Sequence, residues 1–287
     1  MRYTVRVVDL HAHSTASDGV LSPAELVALA HAEGLSAIAL TDHDTVAGID
    51  EALRAAKSLG ITLVPGIELE VDWTPGVFHL LGLDLQRWTG PVRARLEHSL
   101  TARKRRNLAM VKMMQQAGIA ITYHELTELS GHDTVGRPHF AQLLLQKGVT
   151  SSLQEAYDRL IGDGRPFYER KESPSVGAAC AAIHAAGGVA VIAHPQTLRL
   201  EWVDLERQLR RWKSEGLDGI EAYHARIDLE EAHRLAALAD ELGLIVTAGS
   251  DFHGPASGDR RLGHGPGDAA IDDAVYDRIR ERTRARR

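Results

Sequence analysis

The chain has 287 residues, 44% of them hydrophobic and 25% charged, and a formal net charge of -6 with its 15 histidines neutral. This is the balance of a soluble globular protein, and an acidic surface excludes nucleic-acid binding by bulk electrostatics, so an anionic substrate must be held locally and no stable nucleic-acid complex is expected. No run of about 18 apolar residues is present to span a bilayer, so no membrane partner is expected, and Met1-Arg2-Tyr3 leads into a strand and not a signal-peptide core, which points to the cytoplasm.

Residues 4–10 read as the first strand. A helix follows over residues 23–32, with Ser22 as N-cap, Pro23 at the first helical position, Glu25 completing a capping box and Gly34 as the C-cap. Strands at 36–40 and 61–64, with a helix running through Ala56 between them, set up a βαβ rhythm and a parallel sheet. Thr74-Pro75-Gly76 is turn chemistry joining the segment 68–73 to a strand at 77–85. Between about residues 91 and 170 the rhythm lapses into helical patterning, including a long amphipathic stretch over 92–117. It resumes with strands at 188–193, 219–223 and 244–248, separated by helices at 202–214 and 229–242. The single cysteine, Cys180, lies in an Ala-rich helical stretch and reads as a buried position, not a nucleophile. Arg278, Arg280, Arg282, Arg284, Arg286 and Arg287 read as a solvated, frayed helix end. About seven strands in this order predict an α/β fold, a closed βα barrel over residues 1–92 and 168–287 with a helical insertion over 93–167.

The histidines carry the functional signal. His11 and His13 follow the apolar run of the first strand, and residues two apart on extended chain point to the same side. The same placement recurs: Asp42-His43-Asp44, Glu68, His194, and Asp251 with His253 each follow a predicted strand. In a βα barrel such strand ends converge on one mouth, so ligands distant in sequence become neighbours in a composite metal site. Imidazole and carboxylate donors suit manganese, zinc or iron.

The blocks Asp9-Leu10-His11-Ala12-His13-Ser14, Ser17-Asp18-Gly19, Thr41-Asp42-His43-Asp44, Gly66-Ile67-Glu68, Phe78-His79, Ala193-His194-Pro195 and Gly249-Ser250-Asp251-Phe252-His253 resemble the PHP family, the polymerase and histidinol phosphatase superfamily of metal-dependent phosphoesterases. The resemblance implies a distorted seven-stranded barrel holding two or three divalent ions, manganese first. One ion would be held by His11, His13, Glu68 and Asp251, a second by Glu68, His79 and His194, and a third by Asp18, His43 and His253. It also implies that the catalytic set (His11, His13, Glu68, His194, Asp251 and His253) acts through a water made nucleophilic by shared cations.

Substrate contacts are expected from the insertion. Gly136-Arg137-Pro138-His139-Phe140 offers Arg137 as a fork for a phosphate and His139 beside it, a block similar to that of the PHP subgroup of nucleotide 3',5'-bisphosphate phosphatases and the exoribonuclease RNase AM. Lys171 is a second candidate clamp, against a solvated lysine, and His224 a candidate at the mouth, against a supporting role behind the ligands. Arg103-Lys104-Arg105-Arg106 reads as a solvated helix start, and His31, His98, His184 and His233 as surface or packing residues. The resulting expectation is hydrolysis of a phosphate ester in a small nucleotide, or short oligonucleotide, that bears a second phosphate; a histidinol phosphate phosphatase and a metal-dependent amidohydrolase are the rivals, and oligomeric state is left open.

Overall fold

The computed structural model describes residues 6–131, 135–255 and 260–286; Thr4 and Val5 of the expected first strand, and Arg287, lie outside them. Among the described residues there are eight strands: β1 (Val7–Asp9), β2 (Leu35–Leu40), β3 (Thr62–Pro65), β4 (Ile67–Val71), β5 (Phe78–Leu83), β6 (Val189–Ile192), β7 (Gly219–His224) and β8 (Ile245–Gly249). They form two sheets, a parallel β1-β2-β3 and a mixed β4-β5-β6-β7-β8 in which β5 runs antiparallel to both neighbours. A closed seven-stranded barrel is therefore not what forms. Among the described residues no ladder joins the two sheets; they meet at isolated bridges, Ala12 with Phe252 and His43 with Glu68, just beyond the ladders, and at the bond from the Leu85 N–H to the Pro65 carbonyl. Part of the reason lies in the tight link between β3 and β4. Pro65 has no N–H for a ladder, and a Cβ on Gly66 would meet the carbonyl oxygens of Leu40 and Gly82 at 2.9 and 3.0 Å.

The helices are α1 (Pro23–Ala32), α2 (Ile49–Leu59), α3 (Gly90–Leu96), α4 (His98–Gln116), α5 (Tyr123–Ser130), α6 (Arg137–Gln146), α7 (Leu153–Ala156), α8 (Val176–Ala185), α9 (Trp202–Ser214), α10 (Leu229–Leu242) and α11 (Ala274–Ala285). The capping box of α1 forms as expected, Ser22 Oγ accepting the Glu25 N–H and Glu25 accepting that of Ser22; the C-cap is Glu33, and Gly34 follows it at φ +80°. The stretch expected as one helix over 92–117 breaks into α3 and α4 at Glu97. The Glu97 carboxylate accepts from Thr45 Oγ1 and the Val46 N–H, fastening the break to the loop after β2. Arg286 is not loose at the end of the chain, because it pairs with Asp218 at 2.5 Å.

Apolar side chains pack between the sheets and the flanking helices, while Met110, Met114, Leu126, Phe140, Leu144 and Ile161 join a separate apolar cluster drawn from residues 110–161. Burial of such clusters is the main favourable term in folding, and the second one gives helices α4 to α7 a core of their own, whereas α3 and α8 pack into the main one. Cys180 is buried in α8, and burial pushes its thiol up to about 12, as expected of a packing residue. Among the described residues no helix is long and apolar enough to cross a membrane.

Candidate metal and phosphate site

Beyond β1 and β8 the two extended segments run side by side: the His11 carbonyl accepts the Asp251 N–H, and the His13 N–H donates to the Phe252 carbonyl, both at 2.9 Å. The His11 and His13 rings come to the same side, their centroids 5.2 Å apart. Gly249 permits this approach, since a Cβ there would sit 2.3 Å from that of His11. Two buried carboxylates behind the ligands organise the loops. Asp9 accepts the His11, Ser250 and Gly263 N–H groups and the Ser250 hydroxyl, and Asp42 accepts from the Ser14 N–H and the Ser14 and Ser17 hydroxyls.

His43 and His194 follow β2 and β6, and the antiparallel course of β5 brings its beginning, with His79, to the same mouth. Glu68 sits near the start of β4, seated by backbone bonds to Asp42 (3.2 Å) and Asp44 (2.8 Å). Its Oε1 lies 3.0 Å from both His79 Nδ1 and His194 Nε2, and its Oε2 lies 3.0 Å from His43 Nδ1, 3.2 Å from His13 Nε2 and 3.4 Å from His11 Nε2. Asp251 Oδ1 lies 3.3 Å from His13 Nε2 and 3.5 Å from His11 Nε2, and Asp18 Oδ1 lies 3.4 Å from His253 Nε2.

All nine candidate ligands thus gather in one place. Their donor atoms fall into overlapping groups within 4.8 Å: His11, His13 and Asp251; His11, Glu68 and His194; His43, Glu68 and His79; and His13, Asp18, His43 and His253. The grouping differs from the expected one in joining His43 to Glu68 and His79, and His13 to Asp18. Several of these atoms, namely His11 Nε2, both ring nitrogens of His13, His43 Nδ1 and Glu68 Oε2, are buried without a hydrogen-bond partner. Buried polar atoms are normally satisfied, so lone pairs converging unpaired from imidazoles and carboxylates are what a divalent cation would fill. The residues fit a metal centre.

Electrostatics couple the carboxylates and imidazoles of the centre, and a proton competes with a metal at some of them. Burial works against the charge on Glu68 and Asp251, yet the surrounding histidines hold both carboxyls well below the usual range. Burial also opposes protonation of His13, but the Asp251 and Glu68 carboxylates raise it to about 10. His43 and His194 are pushed down by burial and are therefore readily neutral, the form in which imidazole binds a metal.

A cleft of about 150 Å³ opens beside the centre, lined by Asp18, His43 and His79 together with Glu70, Arg103, Arg106, Arg137 and Tyr157. Arg137 opens α6, its guanidinium 5.7 Å from the Tyr168 ring. His139 Nδ1 accepts the Gly136 N–H at 2.8 Å, so this ring braces the loop that presents Arg137. Lys171 is buried, not solvated, and its Nζ lies 2.5 Å from Asp44 and 3.1 Å from Glu70. His224 Nδ1 accepts the Arg226 N–H, which leaves its Nε2 facing Asp251 Oδ2 at 3.7 Å, behind the ligand.

The reading of residues 103–106 as solvated is overturned in part. Lys104 and Arg105 are exposed, whereas Arg103 is buried against Asp44 and Arg106 is buried with two bonds to Asn107 Oδ1. A helix places residues three apart on one face, and for these two that face meets the cleft. Of the remaining histidines, His31, His98 and His233 are exposed, and His184 pairs with Asp218 at 2.9 Å. Glu221 was not singled out by the sequence reading. It bonds His11 Nδ1 at 3.0 Å and accepts the His194 N–H at 2.8 Å. The available signal was a carboxylate set among apolar residues in a buried strand. Arg260, whose guanidinium lies 2.9 Å from Asp251 Oδ2, gave no such signal.

Comparison with known proteins places this geometry. The PHP domain profile matches residues 9–162. Over 247 residues, 86% of this chain and 90% of the relative, the sequence is 38% identical to a 5'-3' exoribonuclease of Haemophilus influenzae. Over 258 residues, 90% of each, it is 33% identical to a 3',5'-nucleoside bisphosphate phosphatase of Chromobacterium violaceum. A solved structure from Bifidobacterium adolescentis, classed as a metal-dependent phosphoesterase, superposes with a TM-score of 0.84 over 96% of each chain at 32% identity. The chain belongs to the PHP domain family.

Proposed function

We propose that the protein is a metal-dependent phosphoesterase that hydrolyses the 3'-phosphate ester of a nucleotide bearing a second phosphate, acting on 3',5'-bisphosphonucleosides, on short 5'-phosphorylated RNA in the 5'-to-3' direction, or on both. The observation that carries this is one cleft lined both by candidate metal ligands, Asp18, His43 and His79, and by the guanidinium groups of Arg106 and Arg137. Among the described residues neither arginine has a carboxylate partner within ion-pair distance; Arg106 gives Nε and Nη2 to Asn107 Oδ1, which leaves its Nη1 for a substrate anion. The names of two relatives, an exoribonuclease and a bisphosphate phosphatase, support the same substrate class.

Two or three divalent ions, manganese first, belong to the proposal, with His11, His13, Asp18, His43, Glu68, His79, His194, Asp251 and His253 as their ligands. When bound, they supply Lewis acidity at phosphorus and lower the pKa of water at the centre. The protein's own part is orientation. Glu221 sets the tautomer of His11 and the backbone of His194, and Arg106 and Arg137 hold the second phosphate so that the reacting one faces Asp18, His43 and His79. Water adds to phosphorus, the bond from phosphorus to O3' breaks, and the nucleotide keeps O3' as a hydroxyl. The helices over residues 93–167 form the substrate-capping insertion of this proposal, since they bring Arg106 and Arg137 to the cleft, and the strand ends around the centre are read as a distorted barrel mouth.

The test is relative turnover. With manganese, adenosine 3',5'-bisphosphate is expected to be hydrolysed far faster than histidinol phosphate, which has no second phosphate for the arginines, and Arg106→Met is expected to raise the KM of the former alone. Equal turnover of the two substrates overturns the reading.

A further inference from the structure

Behind the cleft runs a buried chain of charge. Arg103 on α4 donates through Nε and Nη2 to Oδ2 of Asp44, at 3.1 and 2.5 Å. The same oxygen accepts from Lys171 Nζ at 2.5 Å, and Lys171 in turn lies 3.1 Å from Glu70 Oε2. The Lys171 side chain has no solvent exposure, whereas that of Glu70 retains 19% and lines the cleft beside Arg106. Four cationic groups (Arg103, Arg106, Arg137 and Lys171) thus stand against two carboxylates, Asp44 and Glu70. The cleft lining itself carries Arg103, Arg106 and Arg137 against the carboxylates of Asp18 and Glu70, so with the histidines neutral the balance facing a phosphate is positive.

The weak point of this arrangement is Glu70. An uncompensated carboxylate on the cleft wall would both repel a phosphate and compete with it for Arg106, and in a partly buried cleft such interactions are strong. Lys171 is the cation that answers it. A buried lysine bridging two carboxylates is weak evidence for stability, since apolar residues of similar volume often serve as well, so its presence calls for a different account.

We propose that Lys171 is a positioning residue: by holding and neutralising Glu70 it keeps Arg106 free for the second phosphate of the substrate. The inference rests on the functional reading above and concerns selectivity, not chemistry. Arg103 still holds Asp44 by two bonds when Lys171 is replaced, so His43 and Glu68 keep their seats.

The experiment uses the full manganese-loaded chain and two substrates, adenosine 3',5'-bisphosphate and p-nitrophenyl phosphate, which carries no second anion. Lys171→Met is expected to raise KM for the bisphosphate by at least about tenfold, the scale of one charge-assisted contact, while p-nitrophenyl phosphate hydrolysis changes by less than about threefold. Adding Glu70→Gln to Lys171→Met is expected to restore most of the lost selectivity, because the charge that Lys171 answered is gone. A purely structural lysine would lower both activities together and would not be rescued, and either result overturns the proposal. If Lys171→Met does not fold, Glu70→Gln alone decides: an unchanged or lower KM for the bisphosphate supports it, and a tenfold rise overturns it. A wild-type protein that hydrolyses p-nitrophenyl phosphate but not the bisphosphate would instead refute the functional reading, a failure distinct from an unaltered preference in Lys171→Met.

Discussion

Nδ1 of His11 lies 3.0 Å from Oε1 of Glu221, and the second oxygen of that carboxylate accepts the backbone N–H of His194 at 2.8 Å. One buried side chain from β7 thereby orients candidate ligands that follow β1 and β6. With its proton on Nδ1 toward Glu221, His11 presents the Nε2 lone pair to Glu68 and Asp251.

Glu221→Ala removes that acceptor and leaves the His11 ring free to turn. Manganese affinity is expected to fall by about 10- to 100-fold, the usual cost of losing such an outer partner. Titration calorimetry on the variant checks this, and an affinity equal to that of the wild type would show that His11 is held by other means.

Proton and metal compete at His13. Burial disfavours its charge, but Asp251 and Glu68 raise the imidazole from 6.5 to about 10 in the metal-free protein. A histidine raised on folding contributes stability that is complete below about pH 6.5 and is lost as pH rises through about 10. After chelation the melting temperature is therefore expected to fall between pH 7 and pH 10, while the manganese-loaded protein changes less. Metal binding at pH 7 is also expected to release protons, measurable from binding heats in two buffers of different ionisation enthalpy. No release would show that the ligands are already neutral.

Asp44 is the hinge of the buried charge chain. Burial favours its neutral form, yet Lys171 and Arg103 hold it down at about 2, below its ordinary 3.8. A depressed carboxyl contributes stability above its unfolded value, and that contribution is lost as pH falls from about 4 through about 2. Asp44→Ala leaves the buried Arg103 without its carboxylate and Lys171 with Glu70 alone, and is expected to cost about 3–5 kcal/mol at pH 7. Urea unfolding of wild type and variant gives the difference, and a loss below about 1 kcal/mol would mean that water or Glu70 takes over the compensation.

Much of this was legible in the sequence where local rules suffice. The capping box of α1, the bounds of α9 and α10 and the strand-end placement of His11, His13, His43, His194, Asp251 and His253 follow from periodicity and turn chemistry. What failed to show was tertiary. Arg103 and Arg106 look like surface charge in a run of four cations, and only the docking of α4 against Asp44 and the cleft buries them. The split of the strands into two sheets depends on the one-residue passage at Gly66 and on the reversed direction of β5, neither of which a count of strands reveals. Glu221 was hidden because a single carboxylate in an apolar strand names no partner until β7 is set beside β6 and β8.

The most direct test of the account is the fate of adenosine 3',5'-bisphosphate with the manganese-loaded protein, followed by phosphorus NMR and chromatography of the nucleoside product. The account predicts one equivalent of inorganic phosphate with adenosine 5'-monophosphate as the nucleotide product, the 5'-phosphate having been held by Arg106 and Arg137 while the 3'-ester is cleaved. Release of adenosine 3'-monophosphate, or no release of phosphate at all, would contradict it.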